Sequence, residues 1–249
     1  MEVAIITVGD ELLAGDTANT NATWLADRLS ERGVTVERIL ALPDDRETIA
    51  ERVRAYSDAF DAVLVTGGTG GTPDDVTMEA IADAFDREMV VRERALEDVK
   101  EKIAVYTERN PDIDLNIDIE AEASLPEESR PLINGAGLAP GCVIENVYVM
   151  PGIPEELKSM FEDVIEAFDG DSVSKFLYTT EPEANIVWAL DEIETEFDVS
   201  VGCYPDRDEG HNRLKLTATD DETLAAATEW LLDNIDASET EVSRDWNDA

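Results

Sequence analysis

The stretch with the clearest chemical potential is a run of glycines followed by two aspartates, Thr66 to Thr77, which reads TGGTGGTPDDVT. Glycines let the main chain approach a ligand closely, and successive free amides can form a nest for an anion. A helix that begins after this run would add the positive end of its dipole. Two other phosphate motifs are excluded, because Pro73 replaces the third glycine of the dinucleotide fingerprint and the Gly-Lys pair of the P-loop is missing. We therefore predict a phosphate or pyrophosphate site built mainly from backbone amides.

Carboxylates accompany this loop and indicate a cation. Asp74 and Asp75 are hard oxygen donors, so a Mg²⁺ held jointly by a carboxylate and by ligand phosphates is chemically natural there. The alternative is that both side chains only cap the following helix. Asp44 has the same two interpretations, because Glu47 follows three residues later as in a capping box, while its position after the second predicted strand places it near the glycines.

Two further loops carry polar or small residues. The first, Gly9 to Asn21, follows the first predicted strand, where ligands of open α/β sheets bind. The second, Asn134 to Gly141, is rich in small residues, and alone such a loop is more often a tight turn than a site. Lys158 follows Pro151-Gly152 by about one helical turn and could reach a phosphate, although a lysine at such a position is usually only solvated.

An alternation of apolar runs and amphipathic stretches positions these loops. Strands are predicted at 3–8, 34–40, 62–66 and 143–150, and helical spacing of apolar residues predicts helices between them and a last one over 157–168. We predict an α/β domain over residues 1–168, with a parallel, mixed-edge sheet sandwiched by helices. The state of residues 111–130 stays open, because their isoleucines alternate as in a strand while the residues between them are mostly acidic.

A second predicted domain covers residues 172–236, after a polar linker at 169–171. Its periodicity predicts strands at 175–180, 199–204 and 213–219 with two helices, which together make a small α+β domain. Residues 237–249 show no periodicity and many acidic side chains. We predict that they form a frayed acidic tail.

Composition limits what the protein can bind. The 249 residues include 59 Asp and Glu but 19 Lys and Arg, which gives a net charge of −40, and such a surface repels nucleic acid and anionic membranes. A hydrophobic content of 43% favours a folded protein adapted to concentrated salt over a disordered acidic chain.

Cys142 and Cys203 form no metal or disulfide pattern, so we expect small core residues in a reducing cytoplasm. Neither a signal peptide nor an apolar run of ~20 residues is present, which predicts a soluble protein.

Five ordered segments resemble the molybdopterin-binding domain family, in particular the N-terminal domain of the CinA (competence- and damage-inducible) type. They read GDELLAGDTANTNATWLADRL, LPDD, TGGTGGTPDDVTMEAIA, SLPEESRPLINGAGLAPG and MPGIPEELKSMF, and they span residues 1 to about 168. The segments VGCYP and RLKLTATD of the second domain are similar, more weakly, to the KH-like domain that follows in CinA proteins. The resemblance implies a MoaB/MogA-like fold, here with an acidic surface like that of haloarchaeal proteins.

The resemblance also implies roles for individual residues. The loop after the third strand cradles phosphate or pyrophosphate in that family, and its aspartate before Val-Thr, here Asp75, is tied to Mg²⁺ or another divalent cation and to catalysis. The family's aspartate after a proline corresponds to Asp44, so Asp44 and Asp75 are the implied catalytic and metal-binding residues. The implied ligand-binding residues are Gly9, Asp10, Glu11, Asn19, Asn21, Thr66, Gly67, Gly68, Thr69, Gly70, Gly71, Thr72, Asp74, Thr77, Asn134, Gly137, Ala139, Pro140, Gly141, Pro151, Gly152 and Lys158.

The implied ligand is a nucleotide or a pterin, molybdopterin among them. CinA relatives imply hydrolysis of ADP-ribose, and relatives nearer to molybdenum-cofactor enzymes imply adenylyl transfer from ATP to molybdopterin; both reactions need a cation and amides around phosphorus, so the residues leave them open. A non-catalytic binding protein is a third alternative, which Leu138 favours because the family usually has threonine there. RNA binding by the second domain is not expected, since a GxxG loop with basic neighbours is missing. The resemblance further implies a homodimer or homotrimer.

Overall fold

A computed structural model describes residues 1–244 of the chain. Its residues divide into two compact units, Met1–Asp169 and a second unit that begins at Gly170. The part of the predicted tail at 245–249 lies outside the described residues.

A six-stranded mixed sheet forms the centre of the first unit. The strands of this unit are β1 (Glu2–Val8), β2 (Thr35–Leu42), β3 (Ala62–Thr66), β4 (Met89–Val91), β5 (Ser124–Pro126), β6 (Arg130–Leu132), β7 (Gly141–Ile144) and β8 (Val147–Met150). The main sheet has the order β2-β1-β3-β8-β7-β6, and β4 pairs with β5 separately. Pairing is parallel from β2 to β8 and antiparallel at β8-β7 and β7-β6. The predicted α/β class with a mixed edge is confirmed.

Helices cover both faces of this sheet. They are α1 (Asp10–Ala14), α2 (Thr20–Glu31), α3 (Arg46–Ala59), α4 (Thr77–Ala84), α5 (Glu93–Arg109), α6 (Ile119–Glu122) and α7 (Pro154–Glu162). Ile5 packs with Leu25 of α2 and Phe161 of α7 on one face, whereas Ile6 packs with Ile49 of α3 on the other, and none of these side chains is exposed. Successive residues of β1 therefore enter different cores, which explains its continuous apolar run. Each such burial contributes about 1.5–3 kcal/mol.

Three local elements differ from the prediction. The helix predicted over 157–168 is the first, because α7 ends at Glu162 and a short 3₁₀ helix follows at Ile165–Ala167. The segment 143–150 is not one strand but the hairpin β7-β8, which turns at Glu145 with a positive φ of 50°. Asn146 holds this turn by donating from Nδ2 to the Ser57 and Phe60 carbonyl oxygens, each at 2.9 Å. The polar loop after β1 contains helix α1, and residues 111–118 lie outside any strand. In the rest of the segment whose state was left open, residues 119–122 form α6 and residues 124–126 form β5.

The second unit is an antiparallel sheet with two helices. Its elements are β9 (Val173–Thr179), α8 (Glu183–Glu196), β10 (Val199–Asp206), β11 (His211–Ala218), α9 (Asp221–Asn234) and β12 (Ala237–Ser238). The strand order is β10-β11-β9-β12. Ile186 of α8 and Leu231 of α9 pack with Leu177 and Leu214 of the sheet. The predicted α+β class is confirmed. The tail prediction is wrong at Ala237 and Ser238, because these residues pair with the otherwise open edge of β9.

The cysteines do not pair. Cys142 is fully buried in the first unit, and this burial raises the pKa of its thiol to about 12, which makes it a core residue rather than a nucleophile. Cys203 lies on β10 and is partly buried. Within residues 1–244 every helix is too short or too polar to cross a bilayer.

Candidate functional site

The carboxyl ends of the parallel strands β1 and β3 border a cavity of about 230 Å³. Parallel strands end at the same edge of a sheet, and this edge is where open α/β sheets bind ligands. Of the predicted site residues, the following line this cavity: Gly9, Glu11, Asn19, Asn21, Asp44, Thr66, Gly67, Gly68, Asp74, Asp75 and Gly152. The fold therefore brings the loops after β1, β2, β3 and β8 together.

The glycine-rich loop after β3 is fixed at its ends. The Gly67 amide donates to the Met150 carbonyl at 3.3 Å, and the Thr77 hydroxyl donates to the Gly67 carbonyl at 2.8 Å. Gly67 and Gly68 have positive φ angles of 101° and 61°, which favour glycine. Within residues 1–244 the four successive amides of residues 68–71 donate to no other group. These amides remain available to an anionic ligand.

Asp75 shapes this loop instead of capping the next helix. Its Oδ2 accepts hydrogen bonds from the Thr72 amide at 2.9 Å and from the Thr72 hydroxyl at 2.5 Å. The N-cap of α4 is Val76, which makes no side-chain capping bond. Asp75 therefore does not cap α4. Its other oxygen, Oδ1, takes no part in the two hydrogen bonds with Thr72.

Asp44 is likewise freed from a capping role, because its neighbour Asp45 caps α3 by accepting from the Thr48 amide at 2.9 Å. Asp44 Oδ2 instead accepts from the Asp10 amide at 2.9 Å. Burial raises the pKa of Asp44 above its ordinary value, and the nearby negative charges of Asp10, Glu11 and Asp74 raise it further, against a lowering by the Asp10 amide. A site whose carboxylates repel each other in this way attracts a cation.

The carboxylate set fits a cation that also binds the ligand. Within the described residues no three Asp, Glu, His or Cys side chains converge as a complete metal site. Mg²⁺ is commonly held by one or two carboxylates together with water and substrate phosphates. Asp44 and Asp75 line the same cavity and could supply these one or two carboxylates to the metal.

Asp44 gives a pH-dependent prediction for the metal-free protein. Well below pH 3.8, its ordinary pKa, the side chain is protonated in both the folded and unfolded states. As the pH rises from 3.8 through the raised pKa of the folded state, the free energy of unfolding of the wild type falls relative to that of a neutral variant. Above the folded-state pKa this difference reaches its full size and stays constant. We expect Asp44→Asn, which keeps an acceptor for the Asp10 amide, to raise the melting temperature at pH 7 by about 2–4 °C.

The measurement is thermal unfolding of both proteins from pH 3 to pH 8 in a metal chelator. The matched control is Asp45→Asn. The hydrogen bonds from Thr48 lower the pKa of Asp45, so removing the negative charge of this carboxylate should decrease stability at pH 7. A lower melting temperature for Asp44→Asn at pH 7 would contradict the interpretation.

Polar side chains after β1 tie the neighbouring loops together. Asn19 donates from Nδ2 to the Thr7 hydroxyl at 2.9 Å and caps α2 by accepting from the Ala22 amide at 3.2 Å. Asn21 donates to the Gly152 carbonyl at 2.7 Å, and the Thr66 hydroxyl donates to the Pro151 carbonyl at 2.7 Å. These residues position the cavity walls with respect to each other.

A second cavity, of about 470 Å³, lies on the other side of the glycine-rich loop. Of the predicted residues it is lined by Gly68, Thr69, Gly70, Gly71, Thr72, Asp75 and Pro140. Gly68 and Asp75 border both cavities. The remaining walls come from α4, β4, residues 116–118, α6 and β5, and they include Glu122, which no motif in the sequence indicated.

Some predicted residues line neither cavity: Asp10, Thr77, Asn134, Gly137, Ala139, Gly141, Pro151 and Lys158. The Asn134 side chain accepts from the Gly137 amide at 2.8 Å, and it donates to the Ala139 carbonyl at 3.0 Å and to Glu156 Oε2 at 2.6 Å. The Lys158 ammonium lies over the Trp24 ring, 5.7 Å from its centroid. The side chains of Asn134 and Lys158 are therefore engaged by groups that line neither cavity. Asp10, Thr77 and Pro151 instead touch the site through the backbone or hydroxyl bonds described above.

Two family models match the chain. The model described as a probable molybdopterin binding domain matches residues 4–169, and the FAD synthase middle domain model matches residues 171–243. The second match covers the α+β unit, while the predicted KH-like relationship of that unit stays a prediction.

Individual proteins are similar over nearly the whole chain. A protein from Archaeoglobus fulgidus is 38% identical over 91% of this chain and 95% of its own, and one from Pyrococcus furiosus is 36% identical over 93% and 96%. The solved structure of CinA from Thermoplasma acidophilum, a protein of unknown function, is 31% identical with a TM-score of 0.60, over 68% of this chain and 99% of that one. Together with the glycine-rich loop at the end of β3, these matches establish that the chain belongs to the family of probable molybdopterin-binding domains.

Proposed function

We propose that the first unit is a CinA-type domain that binds a small molecule containing a phosphate or pyrophosphate group, attached to a nucleotide or a pterin. One observation carries the proposal: within the described residues the four successive amides at 68–71 are unengaged, Gly68 borders the same cavity as Asp44 and Asp75, and residues 69–71 border the second cavity, which Asp75 also lines. Oriented amides and a divalent cation stabilise a phosphoryl oxyanion locally, so the net charge of −40 does not prevent its binding.

Asp44 and Asp75 would hold the divalent cation, Mg²⁺ or a relative, which neutralises charge on the phosphate oxygens when it is bound. The amides orient the phosphorus, and Asn21 and Thr66 keep the Gly152 loop in place behind it. For ADP-ribose the reaction is hydrolysis: water attacks one phosphorus, the bridging P–O bond breaks, and AMP and ribose 5-phosphate leave as phosphate monoesters with release of two protons. The loop holds the diphosphate still during this displacement.

Adenylyl transfer to molybdopterin and ligand binding without catalysis are the alternatives. Leu138, which stands where the family usually has threonine, lines neither cavity. The missing hydroxyl is therefore weaker support for a non-catalytic protein than the sequence alone implied. The two cavities favour a ligand with groups on both sides of its phosphates, which ADP-ribose and adenylylated molybdopterin share.

The test is an assay of ADP-ribose cleavage with Mg²⁺, Mn²⁺ or Co²⁺, run beside calorimetric titration of the same ligand. High KCl is used because we propose that the acidic surface is adapted to concentrated salt, where screening reduces its self-repulsion. Cleavage supports the hydrolase, whereas saturable binding without turnover by any metal rejects it in favour of a binding protein. Absence of binding overturns the proposal. The cytoplasmic location and the homodimer or homotrimer stay predictions.

A further inference from the structure

The second cavity has a mixed lining that suits an organic group. Met78, Met89 and Leu125 give it apolar walls, while the glycine-rich loop forms the side nearest to the first cavity. A cavity of about 470 Å³ is large enough for part of a nucleotide-sized ligand. Since Gly68 and Asp75 border both cavities, a group attached to a phosphate on the loop would enter it directly.

Glu122, at the end of α6, places a carboxylate against this loop. Its Oε1 lies so close to Gly71 that a Cβ at Gly71 would collide with it. The side chain is partly buried, and its electrostatic neighbours are the carboxylates of Asp75 and Asp118. Within residues 1–244 no side chain or amide donates a hydrogen bond to it. The fold therefore holds an acceptor at the cavity wall without supplying its donor.

The position of this acceptor limits what can donate to it. A carboxylate beside a phosphate loop repels unesterified phosphate oxygens but accepts hydrogen bonds from hydroxyl groups. In a nucleotide or a nucleoside diphosphate sugar, the ribose is the group directly bonded to the phosphate, and its hydroxyls come before the base along the molecule. Acidic side chains accept from ribose hydroxyls in the same way at dinucleotide sites.

We propose that the second cavity is the subsite for the hydroxyl-bearing sugar on the esterified end of a diphosphate ligand, and that Glu122 is its hydrogen-bond acceptor. This inference rests on the proposed function, because the phosphates must first dock on residues 68–71. It makes Glu122 a specificity-determining residue, which favours sugar esters of diphosphate over inorganic pyrophosphate.

The test compares ADP-ribose with inorganic pyrophosphate by calorimetric titration at fixed Mg²⁺ and high KCl. Glu122→Ala should weaken ADP-ribose binding by about tenfold or more, the loss expected for hydrogen bonds to a charged acceptor. The same variant should bind pyrophosphate as well as or better than the wild type, because a repelling charge is gone. Glu122→Gln should keep most of the ADP-ribose affinity and also improve pyrophosphate binding. Glu120→Ala, exposed on the same helix, is the matched control and should change neither.

Opposite responses to the two ligands support the subsite, since a structural defect would weaken both. Equal weakening of both ligands by Glu122→Ala, or unchanged ADP-ribose affinity, overturns the inference while leaving the proposed function standing. A wild-type protein that binds neither ligand overturns the proposed function and this inference with it.

Discussion

Replacing Asp75 by asparagine is expected to lower divalent-cation-dependent turnover, or cation-dependent ligand affinity if there is no turnover, by at least about 100-fold. The substitution removes the negative charge that the cation requires. It keeps an oxygen that can accept from the Thr72 amide and hydroxyl, so the loop retains its shape. The expected signature is loss of the metal effect with a melting temperature close to that of the wild type.

The measurement is titration with Mg²⁺ at saturating ADP-ribose, following cleavage and heat of binding. Asp16→Asn is the matched control, because Asp16 is an exposed aspartate of the loop after β1 that lines neither cavity. Wild-type metal dependence in Asp75→Asn would show that the cation, if any, binds elsewhere.

Gly67→Ala is expected to disrupt both folding stability and the site. Gly67 has a φ of 101°, and a Cβ there would collide with the Val8 carbonyl oxygen of the adjacent strand. Neither β1 nor β3 can move without breaking the sheet, so we expect a cost of about 3 kcal/mol or more in the free energy of unfolding. The loop displacement should also abolish ligand binding under conditions where the variant is still folded.

Gly15→Ala separates the effect of backbone conformation from that of the collision. Gly15 also has a positive φ, 77°, but a Cβ there meets open space. This variant should cost only about 1–2 kcal/mol and retain ligand binding. Denaturant unfolding and calorimetric titration of both variants check the prediction, and equal costs would contradict the role of the Val8 contact.

The sequence could predict the elements whose signals are local and strong. The apolar run of β1 and the glycines after β3 each have one physical explanation, and the structure has both where they were expected. The capping alternatives at Asp44 and Asp75 could not be decided from the sequence. Asp45, not Asp44, caps α3, and Asp75 accepts a hydrogen bond from Thr72 and does not cap α4. Both outcomes depend on details of the loop backbone.

Other features required tertiary contacts. The strand predicted over 143–150 extended across the polar pair Glu145-Asn146, where the chain turns, because this pair alone does not show that β7 and β8 pair with each other. Lys158 follows the Pro151-Gly152 loop in sequence, but the ring of Trp24 attracts its ammonium. Glu122 was missed because its acidic segment lacks a motif, and it reaches the glycine-rich loop only through the fold.

The most direct test of the central claim is a ¹⁵N NMR titration that follows the backbone amides of residues 68–71 while ADP-ribose and Mg²⁺ are added at high KCl. We predict that these four amides shift strongly, since they gain hydrogen bonds to phosphate oxygens, while the amides of Gly67 and Thr72, already bonded within the chain, shift less. Saturating ligand that leaves residues 68–71 unshifted would contradict the account.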